Sequence, residues 1–125
     1  MDTQLDLIKI VKDLLQEHAD YRNSATGSYR SQILCDDRQQ HYLLIDCGWS
    51  ENRYLHTTPI HIEIIDDSAT QTLRERIWIH CDDTDPGVAV ELRDRGISPQ
   101  QIVLGFRPPH LRQYTGFGTT ELVRS

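Results

Sequence analysis

The strongest constraint on how this chain folds is the spacing of its apolar residues, which changes at Tyr29. Beyond that residue, apolar side chains tend to recur at every second position, the period of a β-strand whose two faces meet different surroundings. Clusters of turn-forming residues divide this pattern into segments. We therefore expect four consecutive strands, over residues 29–36, 41–49, 54–66 and 76–82, joined as an antiparallel meander.

The alternation also predicts which side chains share a face of each strand. In the third strand, three isoleucines point one way, whereas His61 and Glu63 point the other. Pro59 marks a kink, a bulge or an edge position there, because proline lacks a backbone donor. The other expected faces are Leu43, Ile45, Cys47 and Trp49 in the second strand, and Ile77, Ile79 and Cys81 against Trp78 and His80 in the fourth.

Two helices are expected beside these strands. Residues 3–17 carry apolar residues at helical spacing, which predicts an amphipathic helix that packs on the sheet. Residues 23–28 are expected to form a loop, and a second helix is predicted over residues 86–95. With the strand-like run at 102–106, these elements predict an α+β fold: a two-layer, antiparallel β-meander of about four to five strands packed against an N-terminal helix and the second helix.

The ends of the second helix are marked by residues with known positional preferences. Asp85 suits the N-cap, Pro86 suits the first helical position, and Gly96 suits the position just beyond the last turn. Glu91 and Arg95 are four residues apart, in the order that favours an ion pair on the helix surface.

Length and composition favour a single domain over residues 1–125. A chain of 125 residues can bury one core without disulfide bonds or metal. No apolar run approaches the roughly 20 residues that cross a bilayer, and the first residues lack a secretory signal, so we expect a cytoplasmic location. Cys35, Cys47 and Cys81 have no CxxC spacing and are expected to be reduced thiols.

The C-terminal part of the chain contains an unusual run of arginines, prolines and aromatic residues. Pro108 and Pro109 fix φ and remove backbone donors, so they keep this segment out of a sheet ladder. Arginine and aromatic side chains on such a segment suit contact with a partner; the alternative is that Tyr114 and Phe117 anchor an ordered lid on the core. The candidate partner-binding residues are Arg107, Pro108, Pro109, His110, Arg112, Tyr114 and Phe117.

The charge of the chain is unevenly distributed. The net charge is −6, but residues 1–85 carry a balance of −8 whereas residues 86–125, with five arginines and no lysine, carry +2. Affinity for nucleic acid depends on cations that neutralise phosphates, so the molecule as a whole is poorly suited to DNA. Any phosphate contact is expected from the C-terminal part, whose arginines suit phosphates and protein carboxylates equally.

A few residues have side chains that could bind a metal or act in catalysis, but their spacing in the sequence does not match a complete metal or catalytic motif. His61 and Glu63 share the polar face of the third strand, and His80 lies beside them if the third and fourth strands pair. The alternative is a solvated face, or one covered by another subunit in a homo-oligomer. Capping is a sufficient reason for Asp85, although its acidic neighbourhood also suits Mg²⁺. We expect no catalytic residue, metal or cofactor, and hence no enzyme; a metal-dependent enzyme built on His61, Glu63, His80 and Asp83 is a further alternative.

Six blocks of sequence follow one another in a characteristic order. They are His41-Tyr-Leu-Leu, Gly48-Trp49, Ile60-His-Ile-Glu-Ile-Ile65, Ile77-Trp-Ile79, Thr84-Asp-Pro-Gly-Val-Ala-Val-Glu-Leu92, and the run from Ile102 to Gly118. This ordered set closely resembles the XisI family, proteins named as controlling factors for excision of the fdxN DNA element in heterocyst-forming cyanobacteria. The resemblance extends over nearly the whole chain, from the amphipathic N-terminus to about Gly118.

The resemblance implies an accessory role in site-specific DNA excision by a separate recombinase, exerted through a nuclease-like companion protein, XisH. It implies no active-site residue. Two alternatives are a direct DNA-binding factor that uses the arginine-rich C-terminal loop, and an antitoxin-like inhibitor of a nuclease-like partner. The chain departs from the family pattern at Asp85, where a glutamate is expected, and in a longer connector from Asp67 to Glu75, which indicates a diverged member.

Overall fold

A computed structural model describes residues 6–26, 28–66 and 75–119. The connector at 67–74 and the expected helix start at residues 3–5 lie outside the described residues. The elements are α1 (Leu7–Thr26), β1 (Arg30–Asp36), β2 (His41–Ser50), β3 (Arg53–Asp66), β4 (Glu75–Asp82), α2 (Val88–Asp94) and β5 (Ile102–Leu104), with 3₁₀ helices at Pro99–Gln101 and Pro109–Tyr114.

The five strands form one sheet in the order β1-β2-β3-β4-β5. The first four are antiparallel neighbours, as predicted, but β5 runs parallel to β4. The crossover through α2 returns the chain to the end of the sheet at which β4 began, which is how parallel neighbours are connected. The α+β fold is therefore confirmed, and the antiparallel meander is limited to its first four strands. Neither α-helix of the described ranges is long and apolar enough to span a bilayer.

The core lies between the sheet and the two α-helices, on what we call the inner face of the sheet. Helix α1 contributes a stripe of buried residues at helical spacing, and α2 contributes a second set. The core residues are Leu7, Val11, Leu14, Leu15 and Ala19 of α1, Val88, Ala89 and Leu92 of α2, Ile97 after α2, and Tyr42, Leu44, Ile60, Ile62, Ile64, Ile77, Ile79 and Ile102 of the strands.

Helix α1 is longer than predicted, because its last turns are held by the sheet. Arg22 donates to the buried carboxylate of Asp46 at 2.6 Å, and Ser31 donates to the other oxygen of that carboxylate. The Asn23 side chain pairs with both backbone groups of Ser31, at 2.8 and 2.9 Å. The loop expected from residue 23 was therefore wrong as far as Thr26, since these long-range bonds favour continued helix.

In strand β2, the alternating apolar residues that include Leu43 and Ile45 lie on the face of the sheet opposite the core. Tyr42, Leu44 and Asp46 are buried on the inner face, whereas Leu43 and Ile45 are only half-buried on the outer face. Strand β3 follows the prediction, with its three isoleucines inward. Of the kink, bulge or edge position expected at Pro59, the structure shows a bulge, because the pairing of β2 with β3 shifts between Leu44 and Asp46.

Helix α2 begins two residues later than predicted and is capped by a different aspartate. Asp85 is exposed and precedes a cis peptide bond to Pro86. The Asp82 carboxylate instead accepts a hydrogen bond from the backbone N–H of Val88 at 2.8 Å, and its other oxygen accepts two bonds from Thr84. The prediction of Asp85 as the N-cap was therefore wrong: Gly87 occupies the N-cap position without a side chain of its own, and the capping hydrogen bond comes from Asp82 at the end of β4.

The predicted end of α2 at Gly96 is confirmed. Gly96 has φ 103°, and its N–H donates to Arg93, while the N–H of Ile97 donates to Leu92. These two bonds form a Schellman motif, whose positive φ favours glycine. The predicted pair of Glu91 with Arg95 is replaced by contacts to α1, in which Glu91 bonds His18 and Arg95 bonds Glu17.

Candidate functional site

The run of arginines, prolines and aromatics forms a closed loop over the outer face of the sheet, which we call the C-terminal segment (residues 105–118). It leaves the end of β5, passes through the second 3₁₀ helix and returns to the start of β5. There the N–H of Gly118 donates to Ile102 at 2.7 Å, in a parallel bridge between Gly118 and Val103. Both ends of the segment are thus tied to the same strand.

Arg112 holds the middle of the C-terminal segment and is 4% exposed. Its guanidinium donates to the carbonyl of Arg107 at 3.0 Å and to that of Gly105 at 3.2 Å. The same group lies over the ring of Trp78, 5.1 Å from its centroid. Arg112 therefore links the segment to β4 and is not displayed to a partner, contrary to its expected role.

Gly105 allows the C-terminal segment to approach Trp78. A Cβ atom at this position would lie 2.6 Å from Cε2 and 2.7 Å from Cδ1 of the indole, and closer still to Nε1. Only glycine fits such a close approach. Trp78 is 5% exposed although it lies on the outer face, because the segment covers it.

Most of the other side chains of the C-terminal segment are displayed to solvent. Tyr114 is 77% exposed, and the guanidinium of Arg107 lies over the ring of Phe106. Phe117 is half-buried and packs against the core, as the lid alternative expected. The exposed residues of the segment include Phe106, Arg107, Pro108, Pro109, His110, Leu111 and Tyr114. Phe106 and Leu111 were missed in the sequence; their signal was an apolar side chain on either side of the two prolines.

Within the described residues, the arginines of the C-terminal part do not gather into one basic surface. Arg112 is buried, and Arg95 is bonded to Glu17 of α1 at 2.5 Å. Arg93 lies within 3.5 Å of a carboxylate oxygen of Asp94, and Arg124 lies outside the described residues. The positive balance of this part of the sequence is therefore distributed over separate sites.

Three histidines and a glutamate form a second group of polar side chains on the outer face, which we call the histidine cluster (His41, His61, His80 and Glu63). His41 Nδ1 and His61 Nε2 are 2.9 Å apart, and His80 Nε2 is 2.8 Å from a carboxylate oxygen of Glu63. The other oxygen of Glu63 is 3.7 Å from His41 Nε2. The four side chains thus form one continuous chain of contacts.

The histidine cluster is partly shielded from water. Side-chain exposures are 33% for His41, 32% for His80 and 22% for Glu63. Burial lowers the pKa of His61, and repulsion from His80 and His41 lowers it further, against a smaller opposing effect of Glu63. His61 is therefore biased towards its neutral form, which can accept a hydrogen bond or bind a metal.

The structure brings together three of the four residues considered for a metal-dependent enzyme. His61, Glu63 and His80 meet, but Asp83 lies in the exposed turn after β4, where its N–H donates to Pro59. His41 was missed, although its pairing opposite Glu63 places it in the cluster. That pairing depends on strand register, which the sequence pattern does not fix.

A separate apolar feature lies at the other end of the β2–β3 hairpin. Trp49 and Tyr54 pack edge to face, with ring centroids 5.4 Å apart, and they are 61% and 55% exposed. Tyr54 and Glu63 are nine residues apart on β3, so this pair is about 30 Å from the histidine cluster along the strand.

Comparison with known proteins places this architecture in one family. The family model described as XisI protein matches residues 1–119. The fold is similar to the crystal structure of a XisI-like protein from Anabaena variabilis ATCC 29413, with 29% sequence identity and a TM-score of 0.76. It is also similar to the crystal structure of the fdxN element excision controlling factor XisI from the same organism, with 23% identity and a TM-score of 0.72.

Each of these alignments covers 91% of this chain and 96% of the other. A comparison with curated proteins found no match. The family match extends over both helices, all five strands and the C-terminal segment. This chain therefore belongs to the XisI family.

Proposed function

We propose that this protein is a non-enzymatic factor that controls excision of a DNA element of the fdxN type, and that it acts by binding a XisH-like companion protein through its C-terminal segment. Family membership and the structural similarity to a fdxN element excision controlling factor support the role in excision. The observation that carries the binding mechanism is the display of Phe106, Leu111 and Tyr114 beside Arg107 on a loop that is tied down at both ends.

The composition of this displayed surface suits a protein partner. Tyrosine and arginine are enriched among the residues that dominate interface energies, and Tyr114 and Arg107 are both exposed. Arg112 and the bridge at Gly118 hold the loop in one conformation. A loop that is already ordered loses little entropy on binding, so more of its contact energy contributes to affinity.

Two aspartates of this chain use their carboxylates in structural roles. Asp82 uses both carboxylate oxygens to cap α2 and to hold Thr84, and Asp46 uses both to hold α1 and β1. These assignments support a binding protein over a phosphodiester-cleaving enzyme.

Direct binding of DNA is the weaker of the two binding mechanisms. Tight binding requires several cations aligned with successive phosphates. In this chain Arg112 is buried and Arg95 is paired with an acidic residue, and the net charge is −6. These observations favour a protein partner whose contact surface accepts aromatic side chains and one exposed arginine.

Co-expression with the XisH-like companion, followed by size-exclusion chromatography with light scattering, tests this proposal. We expect a joint peak for the wild type and at least a tenfold increase in Kd for the Arg107→Ala and Tyr114→Ala double variant, since hot-spot residues each contribute about 2 kcal/mol or more. Trp49→Ala is the matched control, because it removes another exposed aromatic residue, at the far end of the β2–β3 hairpin.

The outcomes distinguish an error in the proposed contact surface from an error in the proposed partner. A joint peak that survives the double variant would exclude the C-terminal segment as the contact. Separate peaks for the wild type would remove the companion-binding mechanism altogether. If a complex forms, an assay of the companion's nuclease activity distinguishes a controlling factor from an antitoxin-like inhibitor, since only the inhibitor abolishes cleavage.

A further inference from the structure

The histidine cluster is assembled by three adjacent strands and has no evident role in stabilising the core. His41 comes from the start of β2, His61 and Glu63 from β3, and His80 from β4. A register shift between β3 and β4 next to His61 brings His80 towards Glu63. Antiparallel strands about 4.8 Å apart set the spacing of side chains that share a face.

The spacing of the three imidazole rings matches that of a three-histidine metal site. Their centroids are 5.1 Å apart for His41 and His61, 4.6 Å for His61 and His80, and 6.2 Å for His41 and His80. With Zn–N bonds of about 2.0–2.1 Å, each ring centroid lies about 3.2 Å from the ion, so three rings around a tetrahedral ion have centroids about 5.2 Å apart. The observed triangle is centred on this value.

Two of the distances between donor atoms lie close to the same geometry. Two ligand atoms of a tetrahedral zinc ion are about 3.3 Å apart. His41 Nδ1 and His61 Nε2 are 2.9 Å apart, and His80 Nε2 is 2.8 Å from Glu63. Each of these pairs needs to open by about half an ångström, which rotation of partly exposed side chains supplies.

We infer that the histidine cluster binds one transition-metal ion of the zinc class, through the imidazoles of His41, His61 and His80 with Glu63 as the fourth ligand. In the described part of the chain, no three His, Cys, Asp or Glu side chains are already arranged as a metal site. The donor atoms of the cluster are instead hydrogen bonded to one another. An ion replaces these bonds: the proton between His41 and His61, and the proton that His80 Nε2 donates to Glu63, each move to a ring nitrogen that faces away from the ion.

The choice of ion follows from the donor set. Neutral imidazoles with a single carboxylate suit Zn²⁺, Co²⁺, Ni²⁺ and Cu²⁺, whereas Mg²⁺ and Ca²⁺ prefer oxygen-rich sites. The bound ion would link three strands beside Trp78, whose ring centroid is 6.3 Å from that of His80. It therefore lies next to the indole on which Arg112 holds the C-terminal segment.

The site is tested by titrating Zn²⁺ into the protein at pH 7.5, after removal of any affinity tag, and measuring the binding by isothermal titration calorimetry. We expect one ion per chain, and an at least tenfold increase in Kd for His61→Gln and for His80→Gln. His56→Gln is the matched control, because it removes an exposed histidine from the same strand and should leave binding unchanged. Circular dichroism establishes that each variant is folded.

A second measurement needs no variant. Co²⁺ bound in a four-coordinate site gives intense visible absorption. In a separate labelling experiment read by mass spectrometry, bound Zn²⁺ should protect the three cluster histidines, but not His56, from modification by diethyl pyrocarbonate. Saturable binding with this protection supports the site. Absence of saturable binding at micromolar Zn²⁺, or binding that leaves the cluster histidines equally reactive, overturns it.

Discussion

Replacing Arg112 with alanine is the sharpest test of how the C-terminal segment is held. The side chain is buried, donates to the carbonyl groups of Gly105 and Arg107, and lies over the ring of Trp78. Arg112→Ala removes all three contacts together and leaves the tryptophan without the group that covers it.

The cost of this change can be estimated from the contacts. A hydrogen bond from a charged donor contributes about 1.5–3 kcal/mol, and a shielded cation–π contact contributes about 1–2 kcal/mol. The sum overestimates the loss, because the contacts are coupled and the freed carbonyl groups can bind water. We expect a fall of about 3 kcal/mol in the free energy of unfolding, which corresponds to roughly 10 °C in Tm for a chain of this length.

Guanidinium denaturation followed by tryptophan fluorescence and by circular dichroism measures this fall. Arg107→Ala is the control, since Arg107 is exposed and should change stability by less than about 0.5 kcal/mol. A loss of under about 1 kcal/mol for Arg112→Ala would refute the structural role. If that variant kept its stability but lost the companion, Arg112 would be a recognition residue, as the sequence had suggested.

Three further changes test other parts of the fold. Gly105→Ala would place a Cβ atom within 2.6 Å of the indole of Trp78, and should lower the free energy of unfolding in guanidinium by about 2–3 kcal/mol; wild-type stability would show that the approach is not close. Asp46→Ala would leave Arg22 without its carboxylate and should cost about 2–3 kcal/mol, less than a fully buried pair because Arg22 is 22% exposed; a loss below about 1 kcal/mol in urea denaturation would contradict this. The hydrogen bond from Lys12 lowers the pKa of Asp37 below its ordinary 3.8, so the stabilisation is complete above about pH 4 and is lost as pH falls through the lowered pKa. Asp37→Asn should therefore be less stable than the wild type at neutral pH, by a difference that shrinks as the pH falls below about 4, and a difference that stays constant in acid would refute the assignment.

The sequence predicted the buried face of a strand correctly where the side chains on its two faces differ clearly in polarity. The isoleucines of β3 alternate with His61 and Glu63, and the structure places the isoleucines in the core. In β2 the contrast is misleading, because Leu43 and Ile45 lie outside while Asp46 lies inside. A buried aspartate has no signal in a hydrophobic pattern, since its burial depends on partners 15 and 24 residues away.

The C-terminal segment shows the same limit of prediction from local sequence. The run of arginines and prolines indicated an irregular segment, and the structure confirms that it lies largely outside the sheet. The two arginines expected to act together are separated by their environments, because Arg107 is exposed and Arg112 is buried over Trp78. That contact joins residues 34 positions apart, and no local pattern marks it.

By itself the sequence determined the family, the α+β class, four of the strand positions and the end of α2 at Gly96. These properties follow from local spacing, from residues with strong backbone preferences, and from blocks that retain their order along the chain. Only the tertiary structure decided which face of β2 is buried, that β5 is parallel, and that His41 joins His61, His80 and Glu63. An alternating pattern fixes the period of a strand but not its register or its partners, which depend on contacts between residues far apart in the chain.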